Sequence, residues 1–234
     1  MKIKILIISL SIIIFSNLLV MLSILKMHLP YTISMFIFTL LSLLLWFFLL
    51  KKDVPLSIKN IDHGTFKASL LLIIITSSLS VFMIATSEVV NYNHIVLMLI
   101  TAVLVAVYEE IIFRGIGLGS FLSSGISPLR AILLSSVIFS LFHIGYVASI
   151  GLDIILLFMN TFMMGFILGT IYYKTKNILL IIVIHFLWDF AVFINQKLPT
   201  VEIGTVTTII LFVTTILYFT WSARKVRLSS HLVN

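Results

Sequence analysis

The amino-acid sequence predicts an all-α, polytopic transmembrane helical bundle of about eight spans, and three observations carry that prediction. Hydrophobic residues make up 61% of the 234 positions and charged residues only 10%, far from the balance of a soluble domain. The apolar residues come in unbroken runs that approach or exceed the roughly 20 needed to cross about 30 Å of hydrocarbon as a helix, without the alternation of a barrel strand. Lysine and arginine fall in small groups between these runs, as topology markers do.

Taken in order, Lys2 and Lys4 precede a first run at residues 5–25. It is too long for a signal peptide and has no small-residue cleavage site, so it reads as a retained span. Lys26, His28 and Pro30 separate it from a second span at 33–50, and the polar stretch from Lys51 through Lys67 is the largest connection. A third span covers 68–86. Glu88, Asn91 and Asn93 then form a turn before a fourth begins near His94 and runs to Arg114 or a turn beyond. Gly115, Gly117 and Gly119, followed by Ser123, Ser124, Gly125 and Pro128, are expected to break it. Span five follows Arg130 to about Ser149, span six covers 154–173, span seven 178–194 and span eight about 206–221. With a cytoplasmic N-terminus, every lysine and arginine except Lys26 and Lys197 falls on the inside, which places both termini in the cytoplasm of a multi-pass cell-membrane protein. One membrane-embedded domain, residues 1–234, accommodates all of it.

The formal charge of +7 is not read as a nucleic-acid footprint, because the basic residues form no continuous face and have no interleaved aromatics. The bilayer is the expected partner. The absence of cysteine excludes disulfides, thiolate metal ligands and a cysteine nucleophile.

Within this apolar chain, Tyr108-Glu109-Glu110-Ile111-Ile112-Phe113-Arg114 is an anomaly. A single charge at the bilayer centre costs about 2.5–3.5 kcal/mol on insertion scales, so three in one span read as a site. Glu110 and Arg114 are spaced i,i+4, the separation at which a glutamate pairs with a following base, and are expected to form a structural pair. Glu109 points about 100° away around a helix, has no local partner, and can accept a proton from water. The plainer alternative is a buried ion cluster that only fixes helix packing. Span five places Phe139 and His143 on one helical face, and span seven does the same with His185 and Asp189. Three spans thus bring ionisable groups into the bilayer. Two histidines and a glutamate around a water suit general-base hydrolysis with a stabilised oxyanion. The same set could hold zinc through His143 and His185 with Glu109 or Asp189, although no His-Glu-x-x-His spacing is present. By depth, Glu109 and His185 agree on a cytoplasm-facing site, whereas His143, about 20 Å from Arg130 along a helix, fits only if span five tilts or starts deeper.

The motifs Glu109-Glu110-x-x-x-Arg114, Phe139-x-x-x-His143 and His185-x-x-x-Asp189, in this order, resemble the CAAX prenyl protease and bacteriocin-processing family of intramembrane endopeptidases, also called the Abi family. The resemblance covers about residues 105–190. It implies that Glu109 and His143 activate water and that His185 and Asp189 contact the oxyanion, with Glu110, Arg114 and Phe139 as structural support. Asp189 stands where eukaryotic-type and archaeal members have asparagine, and a carboxylate donates no hydrogen bond unless it is protonated. The glutamate-activated-water mechanism needs no metal, although the family is often called metalloprotease. The compact chain resembles members tied to bacteriocin self-immunity and to processing of secreted or signalling peptides, so a membrane-associated peptide or protein is the expected substrate. Two rival readings are a catalytically silent immunity or scaffold protein and a proton- or cation-coupled transporter; the lack of a repeat and of paired broken helices weighs against the transporter.

Gly165-x-x-x-Gly169 on span six predicts close helix packing, with homodimerisation as the second reading. Asn160 on the same span is divided evenly between the site and a neighbouring backbone. His28, His63, His94 and His231 are expected in loops or the tail.

Overall fold

A computed structural model describes residues 2–26, 31–50, 63–86, 92–143 and 154–194, with scattered positions between 209 and 220. The connections at 51–62, 87–91, 144–153 and 195–205, the basic tail and most of the expected eighth span lie outside the described residues.

Each of the first seven expected spans contains a described helix, although the helix of span five ends at Leu141 rather than near Ser149, and residues 144–149 lie outside the described ones. The elements are α1 (Lys2–Lys26), α2 (Tyr31–Leu45) with a π-helical end at Trp46–Leu50, α3 (His63–Thr86), and α4 (Tyr92–Glu109). A π-helical segment, Glu110–Leu118, continues α4 into α5 (Gly119–Ser123), and α6 (Pro128–Leu141), α7 (Ile154–Thr175) and α8 (Ile178–Ile194) complete the described bundle. Two stretches, Ile95–Ser123 and Ile154–Thr175, are long and apolar enough to cross a membrane. The surface agrees with that. Phe15, Phe36, Phe48, Val81, Phe82 and Ile155 each expose more than half of their area, a face that lipid accepts and water does not.

Much of the polar surface is correspondingly inside. Ser9 bonds Ser120 at 2.5 Å, Thr32 bonds Thr101 at 2.6 Å, Thr39 donates to the Leu104 carbonyl at 3.1 Å, and Ser140 donates to the Phe158 carbonyl at 2.7 Å. These short side chains join α1 to α5, α2 to α4 and α6 to α7, in the manner of helix pairs that have no hydrophobic drive to associate in lipid. α8 packs against both α3 and α4, α6 packs against α7, and the π-helical segment touches α1, α4, α6 and α8.

Two expectations are corrected. The glycines at 115, 117 and 119 do not end the helix, which continues to Ser123. A Cβ at Gly117 would stand 3.2 Å from Ile13 Cδ1, so glycine is used there to admit α1. The break comes at Gly125, whose φ of 87° is the left-handed conformation that glycine adopts freely. Its N–H donates to the Leu122 carbonyl at 3.0 Å and that of Ile126 to the Phe121 carbonyl at 3.1 Å, a Schellman closure, and Pro128 then starts α6. His63 and His94, expected in loops, lie in the first turns of α3 and α4.

A second turn fixes α8 to α7. Lys176 takes a φ of 51° and Asn177 caps α8 by accepting from the Leu180 N–H at 3.0 Å, so His185 and Asp189 project from a helix whose start is firmly indexed.

Candidate active site

The site is built where α4 changes pitch. Glu109 is the last residue of α4 and Glu110 the first of the π-helical segment, so the two acids straddle the transition. The Gly119 N–H reaches back to the Arg114 carbonyl, five residues earlier, and Ser135 of α6 donates to the Phe113 carbonyl at 2.9 Å. A π-helical turn widens the helix and occurs frequently at functional sites.

Glu110 and Arg114 pair as the spacing predicts: Arg114 Nη1 donates to Glu110 Oε1 at 2.6 Å, and both side chains are fully buried. The rest of the guanidinium lies flat over the Phe139 ring, 4.3 Å from its centroid, and its Nε and Nη2 make no hydrogen bond among the described residues. The ring's negative face thereby supplements the carboxylate in balancing a charge that has no water around it.

Glu110 does more than pair with Arg114. Its Oε1 also accepts from His185 Nδ1 at 2.6 Å, which fixes the hydrogen on that nitrogen and leaves Nε2 pointing the other way. His185 Nε2 then stands 3.6 Å from Glu109 Oε2 and 3.5 Å from Asp189 Oδ2. Glu109, expected to have no partner on its own helix, faces an imidazole of α8. Both separations exceed a direct N–H···O hydrogen bond, which spans 2.7–3.2 Å. Burial falls off outward across the cluster: the Glu110 and Arg114 side chains are sealed at 0% exposure, His185 is at 4%, and Asp189 and Glu109 reach 13% and 16%. The inner pair is sealed, and the outer acids are partly exposed.

His143 joins from a different direction. α6 begins at Pro128 and ends at Leu141, and a tight turn carries His143, whose Nδ1 lies 3.0 Å from the Phe139 carbonyl. α6 delivers Phe139 into the core, where it is 1% exposed. His143 and His185 both pack edge-on against the Phe139 ring, at centroid distances of 5.0 and 5.9 Å, and Phe113 packs on it at 5.1 Å. Asp189, His185 and Arg114 are within electrostatic reach of His143. All seven expected residues thus meet in one place, with His185 rather than His143 beside Glu109 and Phe139 at the junction.

The donors do not fit a resident zinc. Among the described residues no group of three or more His, Asp or Glu is arranged to hold a metal ion.

Two supporting residues escaped the sequence reading. Ser135 carries no motif and is recognisable only once α6 is seen against the π-helical segment. For Gly165, expected to pack closely against a helix with homodimerisation as the second reading, it is the proximity to the site that escaped: a Cβ there would lie 3.1 Å from Ser136 Cα and 3.2 Å from Phe139 Cδ1.

Comparison with the curated proteins finds no match for the chain. Residues 91–191 match the family model described as type II CAAX prenyl endopeptidase Rce1-like. The matched stretch encloses all three motifs and the 105–190 core expected from them, and over it the chain is similar to that family.

Proposed function

We propose that the protein is an intramembrane endopeptidase that hydrolyses a peptide bond with water activated at Glu109. The observation that carries this reading is the arrangement around His185: one ring nitrogen is held by a sealed acid, and the other faces two partly open acids at 3.6 and 3.5 Å. A water on the open side of these groups meets a proton acceptor in Glu109. As the water oxygen bonds to the scissile carbonyl carbon, Glu109 takes its proton and later releases it to the departing amine. His143, across the Phe139 ring, assists Glu109 in orienting the water.

The oxyanion that forms needs donors. His185 supplies an Nε2–H when its ring carries both protons, and Asp189 supplies a second donor in its acid form. Glu110 and Arg114 do not touch the substrate; they hold the imidazole in place.

The substrate class follows from the surroundings: a membrane-associated peptide or protein, reached from the cytoplasmic side of the cell membrane. This reading takes the chain as eight spans with both termini in the cytoplasm, supported by the distribution of lysine and arginine. The compact motif-bearing stretch supports a role in bacteriocin self-immunity or in processing secreted and signalling peptides. The test compares membrane-associated peptides in cells that express the wild type or Glu109→Gln at equal levels. A peptide that accumulates uncut only with the variant is the expected result, and unchanged peptides with full cellular function would overturn the proposal.

A further inference from the structure

Phe139 supports both imidazoles, and a glycine on another helix supports Phe139. The ring carries the Arg114 guanidinium on one face at 4.3 Å and meets His143 and His185 at 5.0 and 5.9 Å. Behind it lies α7. A Cβ added at Gly165 would stand 3.2 Å from Phe139 Cδ1 and 3.1 and 3.2 Å from Cα and Cβ of Ser136. Carbon atoms at rest in contact are about 3.5–4.0 Å apart, so a methyl group here is tight and obliges its neighbours to give by a few tenths of an ångström. Gly169, one turn further along α7, is different: its added Cβ would meet Ile132 Cγ2 at 3.4 Å and Leu118 Cδ2 at 3.9 Å, which are ordinary contacts away from the site.

We propose that Gly165 is a positioning residue, which sets the disposition of His143 and His185 by letting α7 seat the Phe139 ring on which both rest. A methyl at position 165 has two escapes. It pushes the ring directly, or it pushes α6 at Ser136 and carries Phe139 and His143 along with that helix. His185 stays behind in either case, because Glu110 holds its Nδ1 at 2.6 Å. The imidazoles therefore change their relation to each other and to the ring. The importance of that relation for cleavage rests on the hydrolase reading above, whereas the relation itself does not.

The test is nuclear magnetic resonance of histidine-labelled protein in lipid nanodiscs, with His143 and His185 assigned by single replacement. Gly165→Ala is expected to shift the imidazole resonances of His143 and His185 and to leave those of His28, His63, His94 and His231 in place. Gly169→Ala is expected to shift none of them. Unmoved His143 and His185 signals in folded Gly165→Ala protein, or an equal shift with Gly169→Ala, overturn the proposal. If Gly165→Ala does not fold, adding Phe139→Val together with Ser136→Gly, which removes the crowded ring and Cβ atoms, is expected to restore folding; failure to do so also overturns it. The readout needs no substrate. Full cellular function in Glu109→Gln would remove the hydrolase reading while a shift in Gly165→Ala still upholds the positioning.

Discussion

His185 donates from Nδ1 to Oε1 of Glu110 at 2.6 Å, joining residues 75 positions apart and making a sealed carboxylate the anchor of an imidazole. The same oxygen receives Arg114 Nη1 at 2.6 Å. Glu110 is thus the meeting point of an ion pair within one helix and a hydrogen bond between two.

Breaking this junction should cost folding. Removing one partner of a buried pair leaves an uncompensated charge, a loss of about 3–5 kcal/mol. Glu110→Leu and Arg114→Met are each expected to lower the thermal unfolding midpoint in detergent sharply. The double variant should lose less than the sum of the two, since no charge is stranded; strict additivity would show that the pair is not coupled.

Glu109→Gln should behave in the opposite way. Its side chain is the most open in the cluster, at 16% exposure, and makes no close hydrogen bond with His185, so the amide is accommodated. Cleavage is expected to fall by about 10²–10⁴, the usual contribution of a general base, with the unfolding midpoint nearly unchanged. A matched fall in stability would instead place Glu109 among the structural acids.

Asp189 can be probed by what it donates. Asn carries an N–H in the same place whatever the pH, whereas Ala carries nothing. Asp189→Asn is expected to keep cleavage within about tenfold of the wild type, while Asp189→Ala loses about 10²–10³, as expected for a missing oxyanion donor. Equal losses in the two variants would mean that the negative charge, rather than donation, is what the position supplies.

The π-helical segment has its own support. Ser135→Ala removes a buried bond to the Phe113 carbonyl at 2.9 Å and should cost about 1 kcal/mol or somewhat more, because that carbonyl loses its partner. Ser136→Ala is the comparison, since its hydroxyl only returns to the Ile132 carbonyl within α6, at 2.8 Å. Thermal unfolding of the two variants side by side measures the difference.

Incubation with a strong chelator should leave peptidase activity intact, with no stoichiometric zinc in elemental analysis of the purified protein. The donor arrangement is the reason: Glu109 and Asp189 approach His185 Nε2 within 3.6 Å, yet no group of three or more acid or imidazole side chains among the described residues is arranged to hold a metal ion. Loss of activity on chelation, restored by added zinc, would contradict that geometry.

The bundle was legible in the sequence because bilayer thickness leaves a coarse imprint: long apolar runs, with charge between them. The Glu110–Arg114 pair was legible because i,i+4 spacing survives into the wider helix. Two features were not. Nothing in the order Phe139, His143, His185, Asp189 says which imidazole reaches Glu109, since that depends on how α6 and α8 meet the π-helical segment. The glycines between 115 and 119 misled for a related reason. A glycine that relaxes the backbone and a glycine that admits a neighbouring helix look alike in sequence, and only the 3.2 Å approach of Ile13 to a Cβ at Gly117 separates them.

The change of pitch between Glu109 and Glu110 also determines how this site tolerates insertions and deletions. In an α-helix each residue advances about 100° around the axis, so the two acids would keep a fixed angular offset however long the helix became. Here the offset belongs to a stretch of wider turns ending at Leu118. Chain length between Glu110 and Gly119 therefore acts as a frame. A one-residue deletion between Glu110 and Arg114 would leave every motif residue in the sequence and still shorten the i,i+4 spacing that pairs these two.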